Sequence, residues 1–382
     1  MNEMQMTAGA APENAAGTSE KSLFKRAFVY EIKRNLLPLA IFTAIAVVLS
    51  IFSCLLIRLE YKNSINGIYT LYNACLSVFA VILCALCFVV PVLQFSYRMK
   101  MNSVDLWYSL PISHKQLTFV RILGGMVLIA VPYTLSYWLG VTVIALRGAH
   151  FDYIWYLPNY FVCLVLGAML FGVNAFIFTR ANRVGDGIIF MIAWACILPL
   201  LMNLIFPQSL WNTWSDAVPI ELSSYYGVGR YSDFLSCFFT ASPVAWTSVY
   251  FGDCILKMSV YSVDMYHTSI FLGIAIGVGA AEAVAAYLAL FLLADRDKAE
   301  NADQMSSSWM GYKVLIPAYL VLGLRMLRSL HIETLYALFI LAVVLIIAFI
   351  GYFAYRRSFR LKWYDPVTLG ASFCVGTILF FV

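Results

Sequence analysis

The residues able to do chemistry in this chain are few and scattered. Its four histidines are His114, His150, His267 and His331. None stands in an H-e-x-x-h pair that would put two imidazoles on one helix face around zinc. No G-x-S-x-G turn presents a nucleophilic serine, and no G-x-x-x-x-G-K-[ST] loop is present to wrap nucleotide phosphates. Cys84 and Cys87 have C-x-x-C spacing but lie inside an apolar run with no second ligand pair, so they read as small buried hydrophobes. The same holds for Cys54, Cys75, Cys163, Cys196 and Cys374, whereas Cys237 and Cys254 share one polar segment and would pair if it faced an oxidising space. No catalytic residue, metal ligand or cofactor site is expected.

Two charges sit where charges are costly. Glu282 and Arg325 fall inside long apolar runs, each 12 residues from the end of its run, at Ala294 and Lys313. At ~1.5 Å per residue, both lie ~18 Å deep if those ends share one side of a bilayer. Equal depth and opposite sign suit an ion pair, because an isolated charge there costs several kcal/mol. Three roles stay open: a structural pair that sets helix packing, a substrate or proton site, or two charges that do not meet. In the same run as Glu282, Gly273 and Gly277 have G-x-x-x-G spacing, which lets another helix approach closely, either within the chain or from a second subunit. Asn174 and Asn203 are expected to hydrogen-bond between helices.

The elements holding these residues follow from composition. Of 382 residues, 62% are hydrophobic and only 12% are charged, against ~25% charged in soluble domains. That excludes a soluble enzyme, and the net charge of +5 is not a nucleic-acid signature, because the basic residues flank apolar runs. Nine runs approach or exceed the ~18–20 residues that cross a bilayer: 36–57, 70–93, 119–146, 160–178, 187–206, 269–294, 313–330, 334–354 and 366–382. Hydrocarbon offers backbone groups no partner and barrel alternation is lacking, so the runs must be helices. The expected fold is an all-α polytopic membrane protein with 8–9 transmembrane helices, the 17-residue last run being the marginal one. Pro132, Pro199 and Pro317 fall inside spans and should bend them.

Residues 1–20 read as a disordered polar tail. Residues 21–35, KSLFKRAFVYEIKRN, read as an N-terminal amphipathic interfacial helix. Leu23, Phe24, Ala27, Phe28 and Tyr30 would face the membrane lipids, with Lys21, Lys25, Arg26, Lys33 and Arg34 near anionic headgroups. The segment 207–268 includes a moderately apolar stretch, 234–256, whose crossing decides every later loop. If it does not cross and the N-terminus is cytoplasmic, 18 of the 25 Lys and Arg fall on the cytoplasmic side; if it crosses, the split is 14 against 11. The positive-inside bias favours the first arrangement, with 207–268 outside and Trp211, Trp214 and Trp246 at the interface.

The loop after the second run, SYRMKMNSVDLWYSLPISHKQLTFVR, mixes charges with exposed-type apolar residues. A short helix over 102–109 would be capped by Asn102 or Ser103 and stop before Pro111, with Ser113 capping the next helix. Apolar residues on such a helix mark a docking surface or a loop packed on the membrane.

Here the chain resembles a family. The string DLWYSLPISHKQL, followed by Arg121, is similar to the "SLPI" loop of type-2 ABC transporter permeases. The stretch LLADRDKAENADQMSSSWMGYKVLIPAYLVLG is similar to the hinge leading into extra spans in a subgroup from Gram-positive bacteria. The pair Ser242 and Pro243 also fits, and the resemblance covers roughly residues 20–360. It implies a connecting helix at 21–35 and a six-span permease core at 36–294, with short external helices in its outer segment. At 295–382 it implies a cytoplasmic hinge plus two or three additional spans. Asp105, Leu106, Ser109, Leu110, Pro111 and Ile112 would form the coupling loop that rests on a separate ABC ATP-binding subunit. A second permease half, as homo- or heterodimer, is also implied. The expected function is ATP-driven export of a hydrophobic or peptide-like compound across the plasma membrane. The alternatives are a non-transporting membrane sensor or assembly subunit, and a proton-coupled secondary carrier using Glu282.

Overall fold

The computed structural model describes residues 13–56, 59–61, 69–71, 74–100, 113–147, 153–205, 262–294, 303–304, 308–328, 334–356 and 363–381. Among these, the protein is a helical bundle. Helix α1 covers Glu13–Arg34, α2 Leu36–Leu56, α3 Ala74–Phe95, α4 His114–Leu146 and α5 Tyr153–Thr179. Helix α6 covers Val184–Ile205, α7 Ser262–Leu293, α8 Tyr312–Arg328, α9 Thr334–Arg356 and α10 Tyr364–Phe381. Each of the nine apolar runs coincides with one helix from α2 to α10. Four of these are long and apolar enough to cross a membrane, and five shorter apolar stretches accompany them among the described residues. The protein is therefore a helical, membrane-type chain.

The ends of the elements differ from expectation in two places. Helix α1 opens at Glu13, so residues 13–20 are helical and not a disordered tail. Thr70 belongs to a short antiparallel hairpin, β1 Leu59–Tyr61 with β2 Tyr69–Leu71, in which Glu60 faces Thr70; helix α3 begins only at Ala74. Helices α1 and α2 are separated by Asn35 alone. Pro38, in the first turn of α2, has no N–H for the Arg34 carbonyl, and its ring crowds that carbonyl. The backbone N–H of Asn35 still reaches the carbonyls of Glu31 and Ile32, at 3.1 Å each.

Packing explains which face each helix hides. Helix α2 lies along α4, where the Ser50 hydroxyl donates to the Ser136 carbonyl at 2.6 Å. Gly140 lets the two close up: a Cβ there would stand 2.4 Å from Ser50 Oγ. Helix α3 lies on α5, joined by the Cys87 thiol donating to the Gly167 carbonyl at 3.2 Å. Asn174 Nδ2 donates to the Cys87 carbonyl at 3.0 Å, the interhelical role expected of it; the side chain of Asn203 lies outside the described residues. Helix α7 docks on α5 through Tyr287, whose ring covers Gly172 and whose hydroxyl donates to the Ala168 carbonyl at 2.6 Å.

Helices α8 to α10 have a smaller core of their own, built from Leu320, Leu324, Leu341, Tyr352, Tyr355 and Leu369. They join the main bundle along α6. Tyr312 donates to Asp186 at 2.9 Å, Trp194 Nε1 to the Met310 carbonyl at 2.9 Å and Tyr319 to the Ala193 carbonyl at 2.7 Å.

Candidate functional site

At 33 residues, α4 is about 50 Å long, well beyond a hydrocarbon core of ~30 Å. Its first turns are packed into the bundle, with Leu117, Thr118 and Val120 buried. They start where expected: the Ser113 hydroxyl accepts from the Gln116 N–H at 3.2 Å and caps the helix. Two turns further on, Arg121 is fully enclosed at 0% exposure, and facing it from α1 is Glu31 at 1%.

Arg121 Nη1 donates to Glu31 Oε1 at 3.0 Å. The same carboxylate oxygen accepts from Asn35 Nδ2 at 2.7 Å and from Arg34 Nη2 at 2.8 Å. Gln94, the last polar residue of α3, is buried beside them. Room for the cluster comes from Gly124, one turn above Arg121. A Cβ there would lie 3.1 Å from Glu31 Cγ, 3.6 Å from Gln94 Nε2 and 3.7 Å from Asn35 Nδ2. Burial pushes the Glu31 carboxyl upward from its ordinary range, and Arg34, Asn35 and Gln94 pull it back.

Arg121 makes one further contact. Its guanidinium lies 4.5 Å from the centroid of Tyr97, a cation–π distance. Tyr97 belongs to the single 3₁₀ turn Ser96–Met99 that continues α3. Thus one side chain touches α1, the stretch entering the loop at 101–112 and, through its own backbone, the helix leaving it. A row of rings runs alongside, from Phe24 on α1 to Phe119 on α4 (5.9 Å) and on to Phe291 on α7 (6.2 Å).

The same end of the bundle is basic. Burial first, and then the neighbouring Arg98, pull Arg180 down to about 10, so it stays charged at neutral pH. Arg183 pairs with Asp303 at 2.9 Å, and the Asp303 N–H donates to the Asn182 carbonyl at 3.0 Å. This ties Asp303 to the α5–α6 turn.

The six expected loop residues, Asp105, Leu106, Ser109, Leu110, Pro111 and Ile112, lie outside the described residues; both stems of their loop lie within them. Glu282 is half-buried on α7, but α7 packs mainly on α5, whereas α8, which carries Arg325, packs on α6, α9 and α10. The two helices are not an extensively packed pair, and the Arg325 side chain lies outside the described residues. Among the described residues, nothing lies within 4 Å of where a Gly277 Cβ would be. The Gly273 side of that spacing lies outside the described side chains.

Tyr30, expected on the membrane-facing stripe of α1, is exposed, while the burial of Glu31, and of Asn35 just beyond the helix, was not part of the amphipathic reading. The one available signal was Glu31 itself, a lone acid in a segment with five basic residues. Against protein-family models and against curated proteins, the chain finds no match.

Proposed function

We propose that this chain is the membrane-spanning permease subunit of an ATP-driven ABC transporter, with eight or nine spans and a cytoplasmic N-terminus in the plasma membrane. The observation that carries the reading is the way the loop at 101–112 is mounted. A docking loop that transmits force must have stiff stems. Here both stems and α1 meet at the buried Glu31–Arg121–Tyr97 contact. The loop contains the SLPI string and a single acid, Asp105, and its surroundings hold Arg98, Lys100, Arg180 and Arg183.

The chain has no phosphate-cradling loop of its own, so a separate subunit would hydrolyse the nucleotide. ATP-driven closure of paired ATPases is a rigid-body movement. Asp105, Leu106, Ser109, Leu110, Pro111 and Ile112 would receive it, and the stems would pass it to α3 and α4. Export of a hydrophobic or peptide-like compound, with a second permease half completing the path, is the transport this architecture serves.

Purification of the full-length chain in mild detergent tests the reading. An ATP-hydrolysing subunit should accompany the chain, and combining Asp105→Lys with Leu106→Ala and Leu110→Ala should release it. Retention of that subunit, with unchanged turnover, would remove the loop from its assigned role. Energisation by a proton gradient without any ATPase would favour instead a carrier in which Glu282, half-buried on α7, takes the proton.

A further inference from the structure

We infer that Arg121 is a positioning residue that makes α1, the 3₁₀ turn at 96–99 and the first turns of α4 move as one unit, so that α1 belongs to the force-transmitting part of the protein and not to its lipid anchor. The inference rests on the permease reading for the source of the force, and on geometry for the unit itself.

Three observations combine. First, the contact is closed to water: Arg121 and Glu31 are 0% and 1% exposed. A buried pair of this kind is costly to break one partner at a time, because the remaining charge is left without compensation. Slippage of α1 along α4 would do just that. Second, Arg121 holds its two neighbours by different means, a charge-assisted hydrogen bond to α1 and a cation–π contact to Tyr97. A rotation that kept one contact while losing the other would still expose the guanidinium to an apolar surround. Third, α1 runs into α2 through Asn35 alone, and Asn35 hydrogen-bonds the same carboxylate oxygen as Arg121. Movement of the α4 stem therefore reaches the base of α2 by two routes, through side-by-side packing and through the α1–α2 corner.

A helix that merely floated in the headgroup layer would not need an enclosed carboxylate. Its membrane-facing stripe would be apolar and its charges would face water. Lys25, Arg26 and Lys33 fit that picture and are exposed, but Glu31 does not.

Distances between spin labels in the full-length chain, held in lipid nanodiscs, test this. Labels replace Val29 on α1 and Lys115 on α4, both exposed. A second pair joins Lys115 to the exposed Trp309, beside the start of α8. The 29–115 pair should give one narrow distance, the same for the chain alone and for the complex with its ATPase, with or without ATP. The 115–309 distance should shift on ATP binding. Arg121→Gln should cost the narrow 29–115 peak, and Arg121→Lys should recover part of it. Tyr97→Leu, which keeps an apolar side chain, should broaden the peak without loss of the purified chain, as should not Tyr97→Phe. A 29–115 distance that changes with nucleotide, or stays narrow in both Arg121→Gln and Tyr97→Leu, overturns the inference. A narrow 29–115 peak alongside a 115–309 distance that ignores nucleotide supports the unit and sinks the permease reading.

Discussion

Arg121 and Glu31 are 90 positions apart in sequence and share a hydrogen bond sealed from solvent. Breaking a buried pair from one side typically costs about 3–5 kcal/mol, since the partner keeps its charge and loses its compensation. Arg121→Gln should therefore lower the unfolding midpoint of the purified protein strongly. Glu31→Gln should lower it at least as much, because Arg121 keeps its charge with only the Tyr97 face and a neutral amide against it, whereas in Arg121→Gln the Glu31 carboxylate keeps Arg34 and Asn35. The double variant should be more stable than the sum of the two losses. Melting curves of the four proteins in one detergent measure this, and strict additivity would mean the two groups do not couple. At this scale the sequence was partly legible. Arg121 stood out by following the SLPI string, and its partner was marked only as the lone acid among five basic residues. Glu31 sits in a segment whose composition speaks for lipid headgroups, and only the folded path of α1 across α4 brings the two together.

Helices were the most legible level, since each long apolar run became one. Their mutual packing was not. In a membrane protein the lipid-facing and protein-facing sides of a helix are both apolar, so hydrophobicity cannot say which neighbour a side meets. The G-x-x-x-G spacing at Gly273 and Gly277 pointed to a close contact within the chain or with a second subunit, and among the described residues nothing lies within 4 Å of a Gly277 Cβ. The close approach that α7 does make is at Gly172 of α5, whose neighbour Tyr287 carries no comparable motif. A Cβ at Gly172 would stand 2.5 Å from the Tyr287 ring, so Gly172→Ala should cost roughly 1–3 kcal/mol by overpacking. Tyr287→Phe keeps the ring and loses one hydrogen bond to the Ala168 carbonyl, at about 1 kcal/mol. Unfolding midpoints should therefore rank wild type above Tyr287→Phe and Tyr287→Phe above Gly172→Ala. The reverse order would show that the α5–α7 seam is held by the hydroxyl and not by ring-over-glycine packing. The seam between α6 and α8 is more polar, with Asp186, Trp194 and Tyr319 each tied across it, which is why the three C-terminal helices keep a separate core and still stay attached.

For the whole molecule, the proposed reading puts Tyr108 and Arg357 on the cytoplasmic side. Single cysteines at Tyr108 and Arg357 should react with a membrane-impermeant thiol reagent only after the cells are opened, and labelling of intact cells would invert the proposed topology. The direct measurement of the central claim is ATP turnover by the purified chain, alone and with whatever subunit accompanies it from the membrane. The account predicts no hydrolysis by the chain alone and turnover in the complex that falls when Asp105, Leu106 and Leu110 are replaced. Hydrolysis by the isolated chain, or a complex whose turnover ignores those replacements, would contradict it.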